Sequence, residues 1–543
     1  MKHVLITFCS LSILMASCTK KVEKKAQLTE QQHQVKYSNP EAEIFYHVFQ
    51  RSFYDTNGDG HGDLNGITEK ISYLKDLGVT SLLFTPLYKS IYYHNYFPDD
   101  FKAIDEEFGT MNDYLHMVRT LHENDMKFYM DMEIHYVTKN HPWFKESFEN
   151  PSSKYSNHVI YNGPNNTVPE TMIFNLTKLE SYDGNSVNIT TVDMYNEAVK
   201  TYFRELFSYW VDPNGDGKFD DGVDGFRIDH MMDDLDWKGI RTNLFTDFWA
   251  PLFKHLKAIN PDLKIFGEQA NWKDTGEDYF NTANVDMMFA FGMREGIISM
   301  DKEQISNKID SLLQFTPKDK SQLVFLENHD TPRFAAIVEN NKAKLKLGGF
   351  LMMFNKGVPS IYYGQEIGMN GSGGFGKFGV TDGNDIPMRE AFEWNAKVES
   401  EGVALWYKNT GPWWDERSVL DDDGISVEEQ KSDQNSLLNF YKEIIGIRKA
   451  HTVFSNGDQR IISNDNKSIL TYLRADDQNT YLVAVNTSDE RQETTVILDY
   501  SGGNATLDLG KILLSDKDNS ATSNSSNVDL TLNGYGYAIW KLK

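Results

Sequence analysis

From Ile44 onward, short apolar runs recur along the chain: "IFYHVF", "VTSLLFTPLY", "KFYMDMEI", "GFRID", "KIFGE", "VDMMFAF", "LVFLENHD" and "VPSIYYG". They are almost continuously apolar rather than alternating, the pattern of strands covered on both faces. Between them lie amphipathic stretches such as "MNDYLHMVRTLHENDM" and "NLFTDFWAPLFKHLKAINPD", apolar at helical spacing. Eight strand–helix alternations predict an α/β fold, a parallel (β/α)8 TIM barrel. An open doubly wound sheet is the alternative. Several runs end in Asp, Glu or His, and the C-terminal strand ends of a barrel form its active face.

Two segments break the rhythm. After "DMEIHYV" comes a stretch of ~55 residues rich in Asn, Ser, Pro and Tyr, too long for a plain connection. It predicts an irregular domain, 137–191, inserted after the third strand. The barrel then comprises 41–136 and 192–451. From residue 452 onward, "SILTYLRADDQNTYLVAVNTSDERQETTVILDYSG" and "VDLTLNGYGYAIWKLK" alternate apolar and polar positions between turn signals. That pattern predicts a C-terminal antiparallel β-sandwich over 452–543.

The N-terminus has a different character. Lys2 and His3 precede "VLITFCSLSILMASC", an apolar run ending in small residues before Cys18. It resembles a bacterial lipoprotein signal: residues 1–17 removed, Cys18 lipidated and 18–40 a polar tether. The alternative is an ordinary secretory signal. The only two cysteines, Cys9 and Cys18, lie here, so the following domains form no internal disulfide. The expected location is the bacterial cell envelope, lipid-anchored, periplasmic or surface-exposed. A net charge of −25 over 543 residues argues against a nucleic-acid partner, whose phosphates would be repelled.

Three acids end three predicted strands: Asp229 in "GFRID", Glu268 in "KIFGEQANW" and Asp330 in "VFLENHDTPR". In a barrel they converge on one mouth. Paired carboxylates across a glycosidic bond are the equipment of a glycosidase, one as nucleophile and one as acid/base. Arg227, two residues before Asp229, points the same way on a strand and would hold that carboxylate ionised by lowering its pKa.

These motifs, in this order, resemble those of the α-amylase family of glycoside hydrolases over nearly the whole length after the leader. The resemblance implies Asp229 as nucleophile with Arg227 as its partner, Glu268 as acid/base, and His329 and Asp330 of "ENHD" on the distorted sugar ring. It also implies Tyr96 of "HNYFPDDF" as a stacking ring with His94 beside it. "GVPSIYYGQEIGM" matches the eighth-strand segment. Two departures stand out. The third-strand motif usually ends Asn-His and here reads His135-Tyr136, so the Tyr136 hydroxyl is the candidate replacement. Met232 and Asp233 stand where many members carry Lys-His.

Two loops are candidates for Ca²⁺. "DTNGDGHGD" spaces oxygens at Asp55, Asn57, Asp59, the His61 carbonyl and Asp63, and resembles the calcium loop of the family's oligo-glucosidase-like branch. "DPNGDGKFDDG" repeats the pattern at Asp212, Asn214, Asp216, the Lys218 carbonyl and Asp220, with Asp221 or Asp224 as closing acid. Metal-free Asx-Gly turns are the competing reading. The expected function is a retaining α-glucan hydrolase acting on mainly α-1,4 bonds of starch-derived glucans or maltooligosaccharides. The alternatives are a transglycosidase, or a non-catalytic glucan-binding lipoprotein, against which the complete acid set argues.

Overall fold

The computed structural model describes residues 42–498, 509–516, 518–524 and 527–542. The leader 1–17, Cys18 and the tether 18–40 lie outside the described residues. Eight parallel strands close into a barrel: β1 (Phe45–Val48), β2 (Ser81–Phe84), β3 (Lys127–Met132), β4 (Gly225–Met231), β5 (Lys264–Gln269), β6 (Met287–Phe289), β7 (Ser321–Phe325) and β8 (Val358–Tyr362). Each pairs with its neighbours in chain order, and β8 returns to β1, so the expected barrel is borne out and the open sheet is excluded. Its interior is a packed layer of Phe45, Leu83, Tyr129, Phe266, Phe289 and Phe325, not a pore. A second apolar layer joins the outer strand faces to the helices, which is why the strands read as continuously apolar.

Register places the chemistry. Asp131 of β3 pairs beside Arg227 of β4, and Arg227 beside Phe266 of β5, so the strand ends carrying Asp131, Asp229 and Glu268 lie side by side. The β4–β5 register shifts between Ile228 and Met231. His230 sits in that bulge at φ 48°, a left-handed conformation uncommon for a side-chain-bearing residue. The bulge re-aims the end of β4 at the mouth.

Two excursions roof that mouth. The first, after β3, is irregular. Strands Tyr136–Thr138 and Ile189–Thr191 pair at its base, and Tyr92, Tyr136, Met172 and Ile189 form a small core of their own. The second follows β8 and includes the 3-10 turn Asp382–Met388. The sequence reading leaves this second excursion within the barrel, because its glycine- and aromatic-rich texture has no period. The two meet where the Asp382 amide donates to the Glu180 carbonyl at 2.9 Å.

C-terminal to the barrel, a five-stranded antiparallel sheet faces a three-stranded one. In chain order the strands are β9 (Asp458–Ile462), β10 (Ile469–Ala475), β11 (Thr480–Asn486), β12 (Gln492–Ile497), β13 (Leu509–Ser515), β14 (Ser520–Asn524), β15 (Asn527–Leu532) and β16 (Tyr537–Leu542). Leu473, Leu482 and Trp540 from one sheet pack with Val496, Val528 and Leu530 from the other. Arg474, fully buried, donates to the carbonyls of Phe354, Val453, Phe454 and Gly457 at 2.9–3.1 Å, tying the sandwich to the end of the helix before β8 and to the short helical turn Val453–Asn456.

Candidate active site

Arg227 is the hub. Its Nη1 contacts Asp131 and Asp229, and its Nη2 stands 2.6 Å from Glu268. One buried cation thus serves three carboxylates. The Tyr96 hydroxyl donates to Asp131 at 2.6 Å and lies 2.7 Å from His329 Nε2. His329 Nε2 is also 3.0 Å from Asp330, and an Nε2–H tautomer satisfies both contacts. The Tyr96 and His329 rings stack, 5.3 Å apart. Asp330 is held from its other side by Arg389 at 3.2 Å. Arg227 and Asp131 are sealed, whereas the side chains of Asp229 and Asp330 are 18% and 30% exposed, open to a ligand entering the mouth.

The acids divide in charge. Burial raises Asp330, but His329 and Arg389 together hold it well below the usual carboxylate range, a fixed anion. Burial pushes Glu268 up to about 7, against the pull of Arg227 and with the push of Asp229 and Asp330. Asp229 differs from expectation. Arg227 does draw it down, but burial and the neighbouring Glu133 outweigh a cation shared three ways, and it stands at about 6. Glu268 is thus pushed further up than Asp229 beside it, the direction in which an acid/base and its nucleophile must divide.

The other substrate candidates separate. His94 is buried, stacks on Tyr92, and accepts from the Tyr96 amide at 3.1 Å. Its Nε2 is 3.9 Å from Asp382, whose carboxylate oxygens have no hydrogen-bond partner among the described residues. The Tyr136 hydroxyl donates to Asp236 at 2.5 Å and accepts from the Ile173 amide, so it braces the roof rather than standing at Asp229. Met232 and Asp233 are likewise occupied: the Met232 sulfur takes the Asp236 amide and Asp233 takes the Phe245 amide.

Sequence reasoning missed three contributors. Arg389 arrives on the second excursion, where no motif marks it. His230 stands beside the nucleophile candidate in the bulge. Glu133, 1% exposed, is hydrogen-bonded to His135 and close enough to Asp229 to push its carboxyl up. A lone Glu in "KFYMDMEI" is a visible signal, since the strand period puts it on the face of Tyr129 and Asp131, toward the interior.

The metal loops are wound as expected, with Gly58 and Gly60 at φ 79° and 92° and Gly215 and Gly217 at 68° and 74°. Asp55 accepts from the amides of Asn57, Gly58 and Gly60, and Asp212 accepts from Gly217 in the equivalent position. Asp63 caps the following helix through the Gly66 amide. Among the described residues, no three His, Cys, Asp or Glu side chains converge on a common metal point. The first loop still offers an oxygen-only donor set, with Asn57 and Asp59 exposed, which fits a hard cation completed by water. The second fits poorly. Asp216 faces the Lys218 ammonium at 3.4 Å, Asp221 is held by Arg119 and Asn214, and Asp224 by His122 and the Phe128 amide. Asp220 offers its carbonyl to His122.

Residues 47–457 match the family profile described as "Alpha amylase, catalytic domain", three quarters of the chain. The chain belongs to the α-amylase family. Residues 459–539 match the C-terminal domain of maltogenic amylases. Alpha-amylase 3 of Dictyoglomus thermophilum is 29% identical over 451 residues, covering 81% of this chain and 84% of that protein. The trehalose synthase/amylase TreS of Mycolicibacterium smegmatis is 27% identical over 486 residues, covering 79% of each. The crystal structure of an alpha-amylase from H. orenii superposes with a TM-score of 0.75 at 24% identity, covering 92% of this chain and 99% of that one. The chain is therefore an α-amylase-family glycoside hydrolase, and its fold is that of the family.

Proposed function

We propose that this family member is a retaining hydrolase of α-1,4-linked glucans, with Asp229 as nucleophile and Glu268 as acid/base. The observation that carries the reading is Arg227, one guanidinium spanning both carboxylates. Such a bridge keeps the pair close-set, as in retaining enzymes (~5–5.5 Å) rather than inverting ones (~6.5–9.5 Å). Asp229 attacks the anomeric carbon while Glu268 gives its proton to the departing oxygen. Glu268, now a carboxylate, then takes a proton from the water that releases the sugar. His329 and Asp330 hold ring hydroxyls of the distorted sugar. The test is the anomeric form of the first product from maltoheptaose, followed by proton NMR. An α-anomer is expected, and an initial β-anomer overturns the reading.

Transglycosylation is the second reading. A cleft of about 430 Å³ follows β5 beyond Glu268, walled by the exposed indoles of Trp237 and Trp272. A sugar held there would compete with water for the glycosyl–enzyme. The name of the trehalose synthase/amylase relative supports the same possibility. Products longer than maltoheptaose, or its isomers, would favour this reading in the same NMR experiment.

We further propose Ca²⁺ in the first loop, held by Asp55, Asn57, Asp59 and the His61 carbonyl, with Asp63 closing the site. The ion would stiffen the segment after β1 and take no part in the chemistry. Binding to the native state alone raises stability by mass action, ~2.7 kcal/mol at a hundredfold excess over Kd. EDTA is expected to lower Tm, and Asp59→Ala to remove that sensitivity. An EDTA-insensitive melt with no calcium by elemental analysis rules the site out.

A further inference from the structure

One carboxyl at the mouth is buried and bonded to nothing. Asp382 is 4% exposed, and among the described residues neither of its side-chain oxygens has a hydrogen-bond partner. Such a group is costly to bury, and a native fold that keeps one calls for an explanation. Anchorage does not supply it. The Asp382 amide donates to the Glu180 carbonyl at 2.9 Å, and its carbonyl accepts from the Tyr93 hydroxyl at 3.1 Å. The main chain alone therefore ties the second excursion to the first and to the segment after β2, and the side chain is spare.

Two lines of contact lead to it from the candidate sugar site. Arg389 donates to Asp330 at 3.2 Å and to the Tyr93 hydroxyl at 2.9 Å, and that hydroxyl donates to Asp382. On the other side, His329 lies 2.7 Å from the Tyr96 hydroxyl, and the Tyr96 amide donates to His94 Nδ1 at 3.1 Å. The two lines close into a ring except at one place. His94 Nε2 stands 3.9 Å from Asp382 Oδ2, too far for a hydrogen bond. Nδ1 takes the Tyr96 amide and burial keeps the imidazole neutral, so the His94 proton is on Nε2, the nitrogen at the gap.

We propose that Asp382 and His94 together read one hydroxyl of the glucosyl ring held by His329 and Asp330, at the ring edge away from the anomeric carbon. The inference rests on the retaining reading above, which places that ring. A hydroxyl is the group that fits the gap. Its oxygen accepts from Nε2–H and gives its own hydrogen to the carboxylate, bridging two groups that cannot meet directly. Burial pushes the unpaired Asp382 up to about 8, and a carboxyl that keeps its proton can donate to the same oxygen. Direction follows from the contacts. Glu268 and the cleft between Trp237 and Trp272 mark the leaving-group side, whereas Arg389, Tyr93 and Asp382 continue from Asp330. The edge presented there carries the 3-, 4- and 6-hydroxyls. A sugar lacking the one that is read leaves both Asp382 and His94 unpaired, so it is rejected more strongly than the loss of a solvated contact implies.

The test removes the leaving sugar, so that only the retained ring is read. Fluoride release, followed with an ion electrode, gives kcat/KM for α-D-glucosyl fluoride and its 3-, 4- and 6-deoxy analogues. One analogue is expected to lose at least tenfold with the native protein while the other two lose less. Asp382→Ala should lose about as much on the parent fluoride and nothing further on that one analogue, because the contact is already gone. His94→Ala is the second variant, and should spare the same analogue, since both side chains bond one oxygen. A melting curve on each variant checks the fold. A structural Asp382 or a gap filled by water alone predicts the same fractional loss on all four substrates in both variants, and that pattern overturns the inference while leaving the retaining reading intact. A native protein that releases no fluoride from any of the four overturns the placement of the ring and the inference with it.

Discussion

Asp229→Ala is expected to lower glucan turnover by about four to six orders of magnitude, because no other group in the mouth can form the glycosyl bond. Asp330, also partly exposed, is held between His329 and Arg389 and is not free to approach the anomeric carbon. Glucan binding should survive, since the ring contacts at His329 and Asp330 are untouched. The exchange also leaves a space beside Arg227 that a small anion fits. Added azide should therefore restore part of the turnover of an activated substrate and give a β-glycosyl azide. Turnover is followed by reducing-sugar release and the azide product by mass spectrometry. Near-native activity in this variant removes Asp229 from the nucleophile's role.

Glu268→Gln is expected to cost about two to four orders of magnitude on maltooligosaccharides, the usual contribution of proton transfer to a poor leaving group. With α-glucosyl fluoride the loss in the first step should be much smaller, because fluoride departs unprotonated. The contrast between substrates is the informative quantity. Gln keeps the contact with the His230 amide at 3.2 Å, so the local fold is preserved while the proton is lost. Equal loss on both substrates would assign the acid to another residue.

The barrel was legible because its strands are buried on both faces, and the three acids because each ends such a run. The sandwich was legible from its alternating period. What the sequence hid depends on register and on chain without period. Arg389 reaches Asp330 from an excursion long after β8, brought there by turns no pattern marks. The bulge at His230 is a backbone event in an apolar strand, and neither glycine nor proline announces it. Tyr136 was placed correctly along the chain, but its hydroxyl found Asp236, a partner on the β4 exit loop. Glu133 was readable as an inward-facing acid. That it would stand close enough to Asp229 to raise its carboxyl follows only from the parallel register of β3 and β4 combined with the bulge.

The shortage of positive charge around Arg227 has a consequence for what the mouth prefers to hold. With Glu268 holding its proton, Asp229, Asp131 and Asp330 crowd a space served from within by one guanidinium and from the rim by Arg389. A neutral sugar does nothing for that imbalance. A sugar ring on its way through an oxocarbenium-like state carries the missing charge at the anomeric carbon and ring oxygen, and is the species that balances the pocket. Under the retaining mechanism proposed above, the mouth is thus a socket for a short-lived cation, and part of its grip is exerted only while the bond is breaking.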